Sequence, residues 1–104
     1  MATVQLRRYQ VKPGDMDDFV KWWRGLLPAR KQYGFEVLFA FVDESTNQFV
    51  WAVSHTGDSE DFDAAEKTYI ASPERAAVFA GVPSRIDETF ISKVDVIHHI
   101  WPAS

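Results

Sequence analysis

Two nearly continuous apolar runs, Phe35 to Val42 and Gln48 to His55, flank the polar pentapeptide Asp43-Glu44-Ser45-Thr46-Asn47. This pattern reads as two strands joined by a hairpin loop. Neither run alternates cleanly. On an ideal strand Phe35, Val37, Phe39 and Phe41 fall on one side and Leu38, Ala40 and Val42 on the other, so a sheet built on them has two faces to cover.

The remaining segments decide how much cover one chain supplies. Thr3 to Val11 reads as a first strand that stops at Lys12-Pro13-Gly14. From Asp15 the apolar residues Met16, Phe19, Val20, Trp23, Leu26 and Leu27 recur at intervals of three and four, the period of one helix face. Asp15, Asp17 and Asp18 load its first turn and Arg30 and Lys31 its last, as the helix dipole favours. Pro28 removes a backbone donor, so a bend or break is expected between Arg24 and Pro28. Gly34 suits a left-handed cap closed by Phe35. The loop Thr56-Gly57-Asp58-Ser59 ends in the capping residue Ser59, from which a second helix runs to about Ala71; a short third runs from Pro73 to Gly81 behind the N-cap Ser72, and a last strand from Thr89 to Ile100, before the tail Trp101 to Ser104. The order β, α, β, β, α, β gives an α+β, ferredoxin-like βαββαβ fold, one domain over 1–104, with a four-stranded antiparallel sheet and helices on one face. Helices cover one face only. The other is expected to meet a second copy in a two-fold homodimer, an α/β barrel with helices outside.

Composition excludes several functions. Without cysteine there is no disulfide, thiolate metal site or thiolate nucleophile. Eleven Lys and Arg against 15 Asp and Glu give a formal charge of −4, which argues against nucleic acid as a partner. No apolar run approaches the length of a membrane span, so no membrane insertion is expected and a cytoplasmic location is. His98 and His99 are strand neighbours that point to opposite faces, and His55 lies two strands away, so no metal site is expected. Ser54 and His55 diverge in the same way. No phosphate loop or hydrolase motif is present.

The string Leu6-Arg7-Arg8-Tyr9 precedes Lys12-Pro13-Gly14, Trp23 and Leu27-Pro28-Ala29-Arg30 precede Gly34-Phe35, and Asn47-Gln48-Phe49-Val50-Trp51 and Ser72-Pro73-Glu74 follow. With these the chain resembles the NIPSNAP family over almost its whole length. The resemblance implies a dimeric α/β barrel and no particular reaction or cofactor. Relatives on that fold include cofactor-independent monooxygenases of the antibiotic-biosynthesis type, isomerases and haem-degrading enzymes. Where the family's first strand more often carries an acidic residue, this chain has Gln5.

Candidate site residues follow from the aromatic content. Phe19, Trp23, Phe39, Phe49 and Phe62 are placed as core and dimer packing. An apolar pocket between sheet and helices is expected, rimmed by Tyr9, Trp23, Trp51, His55 and Tyr69, with Tyr9 and His55 as its polar tips. If Val4 and Leu6 face the helices together with Val94 and Val96, then Arg7, Tyr9, Lys93 and Asp95 face the barrel interior. There an Arg7–Asp95 cross-strand pair fixes register, or these groups line a site for an anionic or carbonyl-bearing ligand. The acidic stretch Asp58 to Glu66 reads as a solvated helix face. Three functions fit: a homodimer binding a small apolar or aromatic molecule, a cofactor-independent monooxygenase or isomerase using the same cavity, and a structural or partner-binding dimer with no ligand.

Overall fold

A computed structural model describes residues 1–98 and contains β1 (Ala2–Val11), α1 (Met16–Arg24), α2 (Leu27–Gln32), β2 (Glu36–Asp43), β3 (Gln48–Thr56), α3 (Ser59–Ile70), α4 (Pro73–Phe79) and β4 (Ile86–Val94). The strands form one antiparallel sheet in the order β2-β3-β1-β4. Each half is therefore a β-α-β unit whose two strands are parallel and separated by a strand of the other half. This is the expected ferredoxin-like arrangement. No helix among the described residues is long and apolar enough to cross a membrane.

The first helical stretch breaks where Pro28 predicts. Gly25 and Leu26 donate to the carbonyls of Trp22 and Trp23, both at 2.9 Å, so the chain tightens to three-residue spacing before α2 restarts. Pro28 then lies in the first turn of α2, where its missing N–H leaves nothing unpaired. At the other end Gly34 has φ +87°, its N–H reaches the Lys31 carbonyl at 3.0 Å, and Phe35 N–H reaches that of Arg30 at 3.0 Å. This paired arrangement closes the helix and turns the buried Phe35 into the core. A side chain at position 34 meets a second obstacle, because its Cβ would lie 2.9 Å from His55 Nε2. Gly34→Ala is therefore expected to cost about 1–2 kcal/mol in left-handed backbone strain, plus the contact with His55. Urea denaturation measures the total, and a His55→Ala background reduces it to the backbone part.

α3 begins with a reciprocal cap at Asp58, one residue before the expected Ser59. The Asp58 carboxylate accepts from Asp61 N–H at 2.9 Å, and the Asp61 carboxylate accepts from Asp58 N–H at 3.0 Å. The bond from Asp61 N–H holds the Asp58 carboxyl below the ordinary aspartate range. Its stabilising effect is present above that ordinary value and fades as pH falls through the lowered one. Ser72 caps α4 by accepting from Arg75 N–H, as expected.

The core lies between the helices and the inner sheet face, where Tyr9 and Val11 of β1 join Phe49, Trp51 and Val53 of β3 beneath Phe19, Trp23, Phe35, Phe62 and Tyr69. Strand β1 thus faces the opposite way from the conditional sequence reading. Tyr9 pairs with Phe49 and Arg7 with Trp51, so registering the bulky aromatic residues with one another sends Val4 and Leu6 outward. The Arg7–Asp95 pair does not form. Arg7 lies opposite Ile91, and β4 ends at Val94 opposite Val4, before Asp95. Lys93 likewise points toward the helices, where it pairs with Asp63 at 2.7 Å.

β2 carries an irregularity between Val37 and Phe39, the residues paired with Val53 and Ala52. The extra residue reverses the alternation. Val37 packs against the core, while Phe39 and Phe41, stacked 5.7 Å apart, lie on the outer face with Ala52 and Val50, so of the residues expected in core and dimer packing Phe39 lies outside the core. β4 starts at Ile86 and ends at Val94, not Thr89 to Ile100, and His99, Ile100 and the tail Trp101 to Ser104 lie outside the described residues. By register, the outer face also presents Val4, Leu6 and Arg8 of β1 and Phe90 and Val94 of β4.

Candidate functional site

Four of the five predicted rim residues meet at one cavity. Tyr9 from β1, Trp51 from β3, Trp23 from α1 and Tyr69 from α3 line a space of about 180 Å³ between sheet and helices. His55 is not in its wall. At the end of β3 its ring packs 5.1 Å from the Phe35 ring, and Nδ1 lies 2.8 Å from the Thr56 carbonyl. One end of the cavity is closed by Trp22 and Phe79, whose rings meet edge to face at 5.0 Å. Trp22 is fixed there by its Nε1–H, which donates to the Val78 carbonyl at 3.0 Å.

The polar groups in the wall are mainly arginines. Arg30 from α2 is buried, donates to Glu66 of α3 at 2.7 Å, and lies 4.2 Å from the Tyr69 ring centre, 4.8 Å from Phe35 and 5.3 Å from Trp51. A guanidinium is weakly hydrated and stacks on aromatic faces, which is why this cation tolerates the core. Arg7 donates through Nε to the Tyr9 hydroxyl at 2.6 Å and through Nη1 to Gln5 at 2.7 Å. Its guanidinium carbon lies 5.5 Å from the Trp51 ring centre. Arg75 stacks on Phe79 at 3.9 Å. Glu66 is the one carboxylate among the described residues of the wall. Three buried donors, Trp23 Nε1, Trp51 Nε1 and Arg30 Nε, have no hydrogen-bond partner. Burial pushes the Tyr69 hydroxyl up from its ordinary value, against the pull of Arg30 and Arg75, so it is a neutral phenol at neutral pH.

Arg30, Glu66 and Arg75 were not among the predicted site residues. A signal for two of them was present. Phe19, Trp23, Leu26 and Arg30 share one helical stripe, as do Phe62, Glu66 and Tyr69. A charge within each apolar stripe marks the two halves of one buried pair, so Glu66 departs from the solvated face expected for Asp58 to Glu66.

The NIPSNAP family profile matches residues 4–97. The chain belongs to the NIPSNAP family. Solved structures agree on the fold. A NIPSNAP domain protein from Burkholderia xenovorans superposes with a TM-score of 0.79 at 19% identity, over 98% of this chain and 99% of that one. A NIPSNAP family protein from Agrobacterium tumefaciens gives 0.78 at 15% identity, with complete coverage of both chains. A putative antibiotic biosynthesis monooxygenase from Bacteroides thetaiotaomicron gives 0.73 at 16% identity, over 99% and 96%. Comparison with curated proteins gives no match. At these identities the neighbours share the NIPSNAP chain's fold and carry no assignment of its chemistry.

Proposed function

We propose that this NIPSNAP-family chain is a homodimer that binds a small, largely apolar or aromatic molecule in the cavity between sheet and helices of each protomer. The observation that carries the binding reading is the cavity itself. Protein cores are close-packed, with few voids larger than a water molecule, yet about 180 Å³, partly open to solvent, remains between the buried rings of Tyr9, Trp23, Trp51 and Tyr69 and the more exposed Arg7, Ile70, Arg75 and Thr89. Aromatic walls with a few directed polar groups are the common make-up of small-molecule sites. Support for the dimer comes from the outer sheet face, where Phe41 and Phe90 are half exposed beside Val4 and Leu6.

A thermal-shift screen of small aromatic and acyl compounds tests the binding reading. A ligand present at about ten times its Kd stabilises the native state by about 1.4 kcal/mol, which raises the Tm of a domain of this size by roughly 6–11 °C. If no compound shifts the Tm, the binding reading fails. The catalytic alternative differs in turnover. Oxidation of an electron-rich phenol or quinol in the same cavity consumes oxygen, whereas binding alone leaves an oxygen electrode unmoved.

A further inference from the structure

The cavity wall is unbalanced in charge and in hydrogen bonding, and the imbalance specifies an occupant. Of its three arginines, Arg30 is neutralised by Glu66 at 2.7 Å. Arg75 lies 3.9 Å from the Phe79 ring centre and pairs with no carboxylate among the described residues. Arg7 is partly buried on the inner sheet face between the rings of Tyr9 and Trp51, 5.7 and 5.5 Å from their centres. Its two hydrogen-bond partners, the Tyr9 hydroxyl and the Gln5 amide oxygen, are both neutral, and no carboxylate pairs with it among the described residues. A guanidinium has five N–H donors, and these two bonds leave both Nη2 hydrogens and one on Nη1. Because the Tyr9 hydroxyl accepts from Arg7 Nε, its own O–H is left to donate. Trp23 and Trp51 add two buried N–H groups without acceptors. Donors therefore outnumber acceptors around Arg7, and neither Arg7 nor Arg75 has a counter-ion among the described residues.

We infer that the occupant is a monocarboxylate carried on a single six-membered ring or an acyl body of like size, with its carboxylate on Arg7 Nη2 and the Tyr9 hydroxyl. The inference rests on the ligand-binding reading above and gives that ligand its chemical class. Carboxylate and guanidinium form paired, charge-assisted hydrogen bonds whose geometry an ammonium or a neutral donor does not reproduce. The size limit follows from volume. A cavity of about 150 Å³ accommodates benzene, so about 180 Å³ holds one ring and a carboxyl group. The apolar carbon of Trp22, Ile70, Phe79 and Ile86, above the buried Trp51 and Tyr69, faces the ring and leaves the charge at one end.

The test titrates 15N-labelled protein with benzoate and phenylacetate and with their neutral amides, following the indole N–H resonances of Trp23 and Trp51. Each acid is expected to bind at least about tenfold more tightly than its amide, the usual advantage of hydrogen bonds to a charged group. Arg7→Met is expected to abolish that preference while leaving amide affinity within about threefold. If Arg7→Met does not fold, Arg7→Lys, which keeps the charge and loses the fork, is expected to lower acid affinity selectively. Equal binding of acid and amide by wild type, or an acid preference that survives the Arg7 variant, overturns the carboxylate inference and leaves the cavity as a site for neutral molecules. If neither acids nor amides bind while other neutral compounds do, the inference fails alone. If no compound of any charge binds, the ligand-binding reading fails and takes the inference with it.

Discussion

Arg30→Met is expected to destabilise the fold by about 3–5 kcal/mol, the usual cost of removing one partner from a buried ion pair. For a domain whose total stability is of order 5–15 kcal/mol, that is enough to bring the unfolding transition close to ambient conditions. Arg30 and Glu66 have side chains only 5% and 16% exposed. Removing the guanidinium leaves the carboxylate without its partner, next to the electron-rich faces of Tyr69, Trp51 and Phe35 that held the cation and that do not replace it as a partner for an anion. The loss therefore includes three ring contacts as well as the pair. Glu66 retains some access to water and can relieve part of the strain, which places the expectation toward the lower end of the range. Urea denaturation of Arg30→Met, Glu66→Leu and the double variant separates the contributions. An apolar pair of similar volume replaces a buried ion pair at little cost, so the double variant is expected to recover most of the stability lost in Arg30→Met. A loss under about 1 kcal/mol in Arg30→Met would show that the pair is effectively solvated.

The Arg30–Glu66 pair also marks the boundary between what periodicity conveys and what it does not. Helix positions, the break before Pro28, the cap at Ser72 and the left-handed Gly34 follow from short-range rules, since each depends on neighbours within about four residues, while the α3 cap falls on Asp58, one residue before the expected Ser59. The strand order follows as well, because βαββαβ has few ways to form one sheet. Which face of β1 turns inward was not legible in the same way. Val4 and Leu6 compete with Tyr9 and Val11 for the core, and only the register against Phe49 and Trp51 settles the contest. The irregularity after Val37 is a single inserted residue, and it moves Phe39 and Phe41 to the outer face without a glycine or proline to signal it. The cavity was half legible. Its aromatic members Tyr9, Trp23, Trp51 and Tyr69 were found through burial, which sequence reports well. Arg7, Arg30 and Arg75 come from β1, α2 and α4 and converge only through tertiary packing. His55 ends the same strand as Trp51 but does not reach the cavity. Four residues along β3 carry it about 13 Å from Trp51, to the cap formed by Gly34 and Phe35.

Phe41→Asp combined with Phe90→Asp is expected to convert the protein from dimer to monomer while leaving the fold of each copy intact. In wild type, sedimentation velocity at micromolar concentration is expected to show a dimer. The outer face spans four strands of eight to ten residues, which at ~4.8 Å between strands and ~3.3 Å per residue is roughly 600 Å² per copy. Two such faces together bury roughly 1,200 Å², the lower bound of a standard specific interface. Phe41 and Phe90 stand near the two edges of this face, on β2 and β4, and are 51% and 50% exposed in one copy. Burying the exposed half of a phenylalanine is worth about 1 kcal/mol. In a two-fold contact each substitution acts twice, so the apolar loss alone reaches about 4 kcal/mol, roughly a thousandfold in Kd. Four desolvated aspartates add to that. The same exposure protects the monomer, because neither ring belongs to the core between sheet and helices. Circular dichroism of the double variant is therefore expected to match wild type, and the compounds that stabilise the cavity are expected to stabilise the variant too. A wild-type monomer, or a double variant that still sediments as a dimer, would show that the outer sheet face is not where two copies meet. The cavity on the inner face, walled by one chain's own helices, would stand unaffected by that result.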